Sequence, residues 1–263
     1  MSNRLADKEA TLYKALDGIY KQENVFVFDT VDSTNTFLKG YATECECEAI
    51  AIARHQSAGR GRMGRSFHSG ADKGLFLSLL TRRGLSGIDA TRVTTLVAVA
   101  VARAIESMCP LDAKIKWVND IYVDEKKLSG ILVEGKMSSD GELLYTVIGI
   151  GVNLLKQDYP CEISGIATSI EECCGAVVEP IDLAVRIAEQ IYALLENPTN
   201  EEIIREYKER SMLIGRCVTV LKSEPYVARV LDITNDAHLV VESERGIEEL
   251  YTGDVSVKVL SKT

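Results

Sequence analysis

The chain has 263 residues, of which 46% are hydrophobic and 26% are charged, and its formal net charge is -9. These values are typical of a globular protein with one large domain, or with one of about 200 residues and a second small one. The acidic balance argues against a general nucleic-acid binder, which needs a basic surface. Three histidines, and seven cysteines without a C-x-x-C pair, argue against a zinc site.

Cysteine usage and the apolar segments bear on the compartment. Seven scattered cysteines predict unpaired thiols in a reducing cytosol. The first residues lack the apolar segment of a signal peptide, and residues 181–195 are interrupted by Asp182, Arg186 and Glu189. We therefore expect a cytoplasmic protein without a membrane partner.

Helices and strands alternate in the first part of the chain. The pattern predicts a helix at 5–22, a strand at 25–28, a polar turn at 29–35 that caps a further helix through Asp32 or Ser33, strands at 49–54 and 74–80, and a helix at 88–108. In the last of these, apolar residues recur at i, i+3 and i+4 without a break, which is typical of a core helix.

The second part of the chain begins with strands and ends in short ones. Strands are predicted at 113–117, 121–123, 128–134 and 143–154, with a charged turn at 124–127, and helices at 181–196 and 201–212. After Gly215, short strands at 218–221, 226–231, 239–242 and 255–260 indicate a small barrel. This pattern predicts domains of residues 1–213 and 214–263.

The most informative motif is a loop in which arginines alternate with glycines: Gly59, Arg60, Gly61, Arg62, Met63, Gly64 and Arg65. Glycine permits close approach of the backbone to a ligand, and arginine binds carboxylate or phosphate with two parallel hydrogen bonds. The run is no Walker A loop, and no predicted helix follows it as a dinucleotide fingerprint requires. It predicts a loop that closes over a small anion rather than a solvated hairpin tip.

Other polar residues allow two interpretations each. Lys114 and Lys116 share one face of a strand, so Lys116 either reaches a site or is an exposed neighbour of buried Trp117. Lys127 is either functional or a solvated turn residue. The hydroxyl and amide groups at 33–35, and Gln56, either bind a polar head group or cap a helix. The glycines within 149–153 indicate close approach of a ligand or another backbone.

Together these motifs resemble the biotin–protein ligases. Residues 59–65 are similar to that family's G-R-G-R-x-G-R loop, and residues 116–120 to its K-W-P-N-D strand, with Val118 in place of the usual proline. Residues 33–35, 127–134, 149–153 and 167–169 fall in the family's order and spacing, so the resemblance covers roughly residues 25–260. Phe67 stands where a tryptophan is common.

The resemblance implies an α+β fold: a mixed β-sheet flanked by helices, as in the class II synthetase-like biotin ligase catalytic domain, and a small C-terminal SH3-like β-barrel. It implies a biotin–[biotin carboxyl-carrier protein] ligase that converts biotin and ATP to biotinyl-5'-AMP and then transfers biotin to a lysine. The acceptor would be the biotin carboxyl carrier domain of a biotin-dependent carboxylase. Mg²⁺ would come with ATP, near Asn153, with no metal fixed by the protein alone.

The resemblance also assigns residues to roles. The implied catalytic residues are Arg60, Arg62, Lys116, Asp120 and Lys127. The implied biotin-binding residues are Ser33, Thr34, Asn35, Gln56, Gly59, Arg60, Lys116, Gly130, Leu132, Gly149 and Gly151. The implied nucleotide-binding residues are Arg62, Arg65, Phe67, Asn119, Asn153, Ala167 and Lys258.

Two other functions fit the sequence less well. A lipoate or octanoate ligase of the same superfamily is disfavoured because its Arg-Arg-x-Ser-Gly-Gly-Gly loop is absent. A non-catalytic biotin- or nucleotide-binding protein is disfavoured because a neutral head group needs neither Lys116 nor Arg62. About 24 residues precede the first strand, too few for the DNA-binding domain of some family members, so no DNA partner is expected. Pairing along a sheet edge would give either a homodimer or a docking face for the acceptor.

Overall fold

The computed structural model describes residues 10–16, 19–64, 67, 70, 72–85 and 88–251, and the backbone of residues 256–259. Its helices are α1 (residues 10–15), α2 (Thr34–Tyr41), α3 (Ala90–Met108), α4 (Ile170–Cys174), α5 (Pro180–Leu195) and α6 (Glu201–Glu209). The strands are β1 (Val25–Val31), β2 (Ala49–Gln56), β3 (Gly74–Thr81), β4 (Lys114–Lys116), β5 (Asp120–Val123), β6 (Lys126–Met137), β7 (Leu143–Asn153), β8 (Cys217–Leu221), β9 (Tyr226–Ile233), β10 (Leu239–Ser243), β11 (Gly246–Leu250) and β12 (Ser256–Val259).

The first seven strands form one mixed sheet in the order β1-β2-β3-β7-β6-β5-β4. The pair β1–β2 is parallel and the other pairs are antiparallel. Helices α3 and α5 pack against one face and α6 packs on α3, while α2 contacts β2, β3 and β7. All eight residues of β3 are buried, which explains its nearly continuous apolar sequence.

Alternation along β3 and β7 separates a core face from a second face. Leu77, Leu79, Ile148 and Ile150 join the main hydrophobic core with α3. The alternate positions of the same two strands point to the opposite side of the sheet, because successive side chains in a strand point to opposite faces. Leu80 and Val147 pack there with Leu38 of α2. The candidate functional residues lie on this second face.

The last five strands form a separate antiparallel sheet in the order β11-β10-β9-β8-β12. The predicted α+β architecture is confirmed, and the small C-terminal antiparallel sheet is consistent with an SH3-like unit. The two sheets are connected by a hydrogen bond in which Nε1 of buried Trp117 donates to the carbonyl oxygen of Ala237, 2.9 Å away.

Several boundaries differ from the predictions. In the predicted helix at 5–22, the described helical residues are 10–15, and the chain turns at residue 16. Helix α6 ends at Glu209, because the following residues instead cover the edge of β4: Ile115 donates to the carbonyl of Arg210 at 2.8 Å and accepts from the amide of Met212 at 3.0 Å. Strand β11 and the short helix α4 were not predicted. The turn between β5 and β6, predicted at 124–127, consists of only Asp124 and Glu125, which both have positive φ.

The expectation that all cysteines are unpaired is wrong for two of them. Cys45 and Cys47 follow α2, and their Cα atoms lie 5.3 Å apart in a disulfide. The other cysteines are free: Cys109, Cys161, Cys173, Cys174 and Cys217. Across the described part of the chain, none of the helices combines the length and apolar character that crossing a membrane requires.

Candidate functional site

The sheet register brings widely separated sequence motifs into one row on the second face. Lys116 pairs with Asp120, Asp120 with Gly130, Gly130 with Gly151, and Gly151 with Phe76. The neighbouring row joins Leu132 to Gly149 and Gly149 to Ser78. Because positions directly opposite each other in neighbouring strands share a face, the predicted lysine, carboxylate and glycine positions line up side by side.

The start of α2 contributes an uncharged polar cluster beside these rows. Ser33 is the N-cap, and its hydroxyl accepts from the amide of Thr36 at 3.4 Å, which decides between Asp32 and Ser33. The Thr34 amide donates to Gln56 Oε1 at 2.8 Å, and the Thr34 hydroxyl lies 3.1 Å from the same atom. Residues 33–35 and Gln56 therefore lie together, as binding of a polar head group would require, while Ser33 caps the helix as the alternative interpretation predicts.

Asn35 connects α2 to three strands. Its Nδ2 donates to Glu134 Oε2 at 2.9 Å and to the Leu132 carbonyl at 3.3 Å, and its Oδ1 lies 2.6 Å from the Ser78 hydroxyl. A Cβ at Gly149 would stand 2.2 Å from Asn35 Oδ1. The close approach predicted at Gly149 is therefore made by the Asn35 amide.

Glu134 is a charged neighbour of this uncharged cluster and was not predicted as a site residue. Its Oε1 accepts from Lys39 Nζ at 2.6 Å. Burial alone would raise the pKa of this carboxyl, but hydrogen bonds from Lys39 and Asn35, and the charge of Arg60, hold it below its usual value. Arg60 therefore lies close enough for its charge to act on this cluster.

The paired glycines form a floor under Phe67. A Cβ at Gly151 would lie 2.5 Å from Phe67 Cε1, and one at Gly130 would lie 3.1 Å from Phe67 Cε2. The Phe67 amide donates to the Gly59 carbonyl at 3.1 Å, and a Cβ at Gly59 would approach the Phe67 carbonyl oxygen to 2.9 Å. The chain thus folds back directly after the arginine–glycine loop, and the Phe67 ring contacts residues that have no side chain.

Two charged groups stand beside this floor. Lys127 Nζ donates to Asp120 Oδ1 at 2.7 Å and lies 5.9 Å from the centre of the Phe67 ring. The Lys127 backbone bonds to residues 166 and 168 on either side of Ala167. Asn153 Nδ2 in turn donates to the Thr168 carbonyl at 2.9 Å, so the predicted residues Ala167 and Asn153 adjoin Lys127.

Lys116 and Arg62 approach from the β4 side. Lys116 Nζ lies 5.4 Å from the centre of the Tyr122 ring, and burial followed by the Asp120 charge raises the pKa of Tyr122 well above its usual value. Arg62 Nη1 donates to Asn119 Oδ1 at 3.1 Å, and Asn119 Nδ2 donates to the Ile131 carbonyl at 2.7 Å. Two hydrogen bonds of the Asn119 side chain therefore connect the arginine–glycine loop to strand β6.

The peptide between Trp117 and Val118 is cis. Arg65 lies outside the described residues, and of Lys258 only the backbone is described, opposite Thr219 in β8. Among residues whose placement is described, no three His, Cys, Asp or Glu side chains gather as a metal site would require.

Comparison with known proteins identifies the class. Residues 27–153, which contain the rows and the polar cluster, match the Biotin/lipoate A/B protein ligase family. The chain therefore carries a domain of this family, and the resemblance predicted from its motifs is confirmed.

Individual relatives narrow the class further. The Bifunctional ligase/repressor BirA of Bacillus spizizenii is 31% identical over 220 residues, which is 79% of this chain and 66% of that protein. A Biotin--[acetyl-CoA-carboxylase] ligase of Mycobacterium tuberculosis is 29% identical over 177 residues, 65% of this chain and 64% of that protein. The solved structure of the Aquifex aeolicus biotin protein ligase in complex with biotin and ATP superposes with a TM-score of 0.76 at 25% identity, covering 90% of this chain and 100% of that one.

Proposed function

We propose that this chain is an ATP-dependent biotin–protein ligase. The observation that carries the proposal is the row from Lys116 through Asp120 to the Gly130–Gly151 floor, with the uncharged cluster around Asn35 beside it. An uncharged set of donors and acceptors suits the ureido head of biotin, and adjacent cations suit its carboxylate and the phosphates of ATP. The names and bound ligands of the relatives support this function.

Biotin would lie along the glycine rows. Thr34, Asn35 and Gln56, with Ser33 at the helix start, would bind the ureido ring. The backbone near Leu132 and the rows at Gly130, Gly149 and Gly151 would line the rest of the ligand. A side chain at any of these glycines would displace Phe67 or Asn35, which border the same pocket. Gly59 and Arg60 would close the loop over it.

The first step needs two anions to approach one another. A carboxylate oxygen of biotin attacks the α-phosphorus of ATP, the bond to pyrophosphate breaks, and biotinyl-5'-AMP forms. Arg60, Arg62 and Lys116 would lower the barrier by offsetting the repulsion between carboxylate and phosphate. We place Arg65, Phe67, Asn119, Ala167 and Lys258 at the nucleotide.

Magnesium would arrive with the phosphates of ATP. The hydrogen bond from Asn153 Nδ2 to Thr168 fixes the orientation of this amide and leaves Oδ1 as the atom that Asn153 can offer. A carbonyl-type oxygen is the kind of ligand that Mg²⁺ accepts.

The second step transfers biotin to an amine. The acceptor lysine attacks the carbonyl carbon of the adenylate, AMP leaves with the electron pair of the broken bond, and the amine loses a proton. Asp120 would orient the incoming amine, and Lys127, 2.7 Å from Asp120, would stabilise the charge that develops on the leaving group. The arginine–glycine loop would exclude water from the anhydride.

We also propose that the functional unit comprises a catalytic domain of residues 1–213 and a second domain of residues 214–263, with a biotin-accepting carrier domain as its protein substrate, in the cytoplasm. Each of the two sheets is built from residues on one side of that boundary.

Replacing Gly151 with alanine tests the role of the glycine floor. The new Cβ would push the Phe67 ring away by about 1 Å. Because we place this ring at the nucleotide, we expect KM for ATP to rise about tenfold while the fold persists. Steady-state kinetics at saturating biotin measure this. Gly165→Ala is the matched control, because a Cβ there meets nothing within 4 Å. An unchanged KM for ATP in Gly151→Ala would remove Phe67 from the nucleotide site.

The transfer step is tested with a purified carrier domain. Incubation with MgATP and biotin should add one biotin to a single lysine of that domain, as located by peptide mass spectrometry. Modification with lipoate or octanoate in place of biotin would assign the chain to the sister activity of the family. Biotin binding without any modification would leave a binding protein.

A further inference from the structure

We propose that Glu134 is a positioning residue that sets the hydrogen-bond polarity of the head-group pocket and thereby makes Thr34 an acceptor for a ligand N–H. The inference rests on the proposed function for the identity of the ligand. Its structural basis is a continuous chain of four side chains that begins at Glu134 and ends at Thr34.

The chain begins at a group whose polarity is fixed. An ionised carboxylate has no proton and can only accept. Glu134 Oε2 therefore accepts a hydrogen bond from Asn35 Nδ2 at 2.9 Å, while the Leu132 carbonyl, also only an acceptor, faces the same nitrogen at 3.3 Å. Two acceptors around one side of the amide settle its orientation, and Asn35 Oδ1 must face Ser78.

The next two bonds follow from proton counting. Ser78 has one hydroxyl proton and two oxygens at bonding distance, Asn35 Oδ1 at 2.6 Å and Thr34 Oγ1 at 2.7 Å. Asn35 Oδ1 cannot donate, so it accepts the hydrogen bond from the Ser78 hydroxyl. In the short contact between Ser78 and Thr34, the Thr34 hydroxyl is then the donor and the Ser78 oxygen the acceptor. Gln56 Oε1, at 3.1 Å, is a second acceptor for the same Thr34 hydroxyl.

The Thr34 hydroxyl therefore has no proton available to donate to a ligand. Thr34 is 3% exposed and Ser78 is fully buried, so water does not reorder the chain. What Thr34 Oγ1 presents to a ligand is a lone pair, and the matching group is an N–H. A cyclic urea carries two such groups, whereas the disulfide ring of lipoate carries none.

Removing the charge of Glu134 releases this polarity. The side chain of Gln can donate as well as accept, so in Glu134→Gln only the Leu132 carbonyl, at 3.3 Å, still opposes rotation of the Asn35 amide. When the amide turns over, Ser78 can donate to Thr34, and the Thr34 proton is then shared between Gln56 Oε1 and the ligand. Lys39 binds the other oxygen of Glu134 at 2.6 Å and takes no part in the chain. In Lys39→Met the hydrogen bond from Asn35 and the charge of Arg60 remain to keep Glu134 an acceptor.

The experiment compares biotin with an analogue methylated at the ureido nitrogens. Calorimetric binding in the absence of ATP gives the discrimination ratio for the wild type, Glu134→Gln, Ser78→Ala, the double variant and Lys39→Met, with melting temperatures as a check on folding. We expect the wild type and Lys39→Met to prefer biotin strongly, and Glu134→Gln to lose about tenfold or more of that preference. Ser78→Ala should lose as much, with no further loss in the double variant because the two residues act in one chain.

Two outcomes would overturn the assignment, and they are distinguishable. Wild-type discrimination in Glu134→Gln, whatever its melting temperature, would show that Glu134 has only a structural role. Absence of biotin binding by the wild type would instead remove the proposed function itself, and the assignment with it.

Discussion

Replacement of Lys116 by alanine is expected to lower biotin-dependent pyrophosphate release about 10²- to 10³-fold, the cost of removing one group that stabilises developing charge at a site shielded from water. Lys116 stands opposite Asp120 in the row that continues across Gly130 and Gly151. In that position its ammonium would lie between the biotin carboxylate and the α-phosphate. The measurement is single-turnover pyrophosphate release at saturating biotin and MgATP.

Strand β4 supplies a matched control for this variant. Lys114 is two residues away on the same face, but it pairs with Asp112 at 2.9 Å in an exposed salt bridge and stands opposite Tyr122 instead of Asp120. Exposed pairs of this kind contribute about 1 kcal/mol or less, so Lys114→Ala should release pyrophosphate at close to the wild-type rate. Equal rates for the two alanine variants would exclude Lys116 from the first step.

Replacement of Arg62 by glycine is expected to let the adenylate escape. Arg62 fastens the loop through its bond to Asn119 Oδ1, and a hydrogen bond to a charged group contributes about 1.5–3 kcal/mol. That range corresponds to a roughly ten- to hundredfold smaller equilibrium constant for closing the arginine–glycine loop over the adenylate. Because free biotinyl-5'-AMP reacts with any accessible amine, bystander proteins should become biotinylated while pyrophosphate release continues.

The readout is the ratio of biotin on a bystander protein to biotin on the carrier domain, determined by mass spectrometry. Met63→Ala is the control, because Met63 belongs to the same loop and its side chain is 61% exposed. We expect the ratio to rise about tenfold or more in Arg62→Gly and to stay unchanged in Met63→Ala. If Arg62→Gly formed no adenylate at all, Arg62 would belong to the activation step and the lid role would be wrong.

Much of the fold was predictable because its signals are local. The apolar periodicity of α3 and the apolar runs of β2, β3 and β7 predict the bounds of these elements to within two residues. The glycines at 149 and 151 indicated a close approach before the contacting groups were known. Strand β11 was missed because Ile247 and two glutamates in a five-residue segment resemble a loop, and its pairing with β10 supplies the stability that its own sequence lacks.

The predicted site residues were found by their local chemistry, but their connections depend on register. Ser78 is the one polar residue in the apolar run of β3 before Thr81, and that exception was a signal that went unused. Glu134 and Lys39 were missed because nothing near either of them in sequence reveals that Asn35 contacts three strands of the sheet. Lys114 and Lys116 look alike in the sequence, and only the pairing of β4 with β5 shows that Lys116 stands opposite Asp120 and Lys114 opposite Tyr122.

The most direct test of the account is pyrophosphate release by the wild-type protein from MgATP, with biotin or lipoate as the added acid and no carrier domain present. We expect release that depends on biotin and not on lipoate, because the Thr34–Asn35–Ser78 cluster is arranged for a polar head group and the cations beside it for a carboxylate meeting a phosphate. Release with lipoate alone, or biotin binding without release, would contradict the assignment of this site to biotin activation.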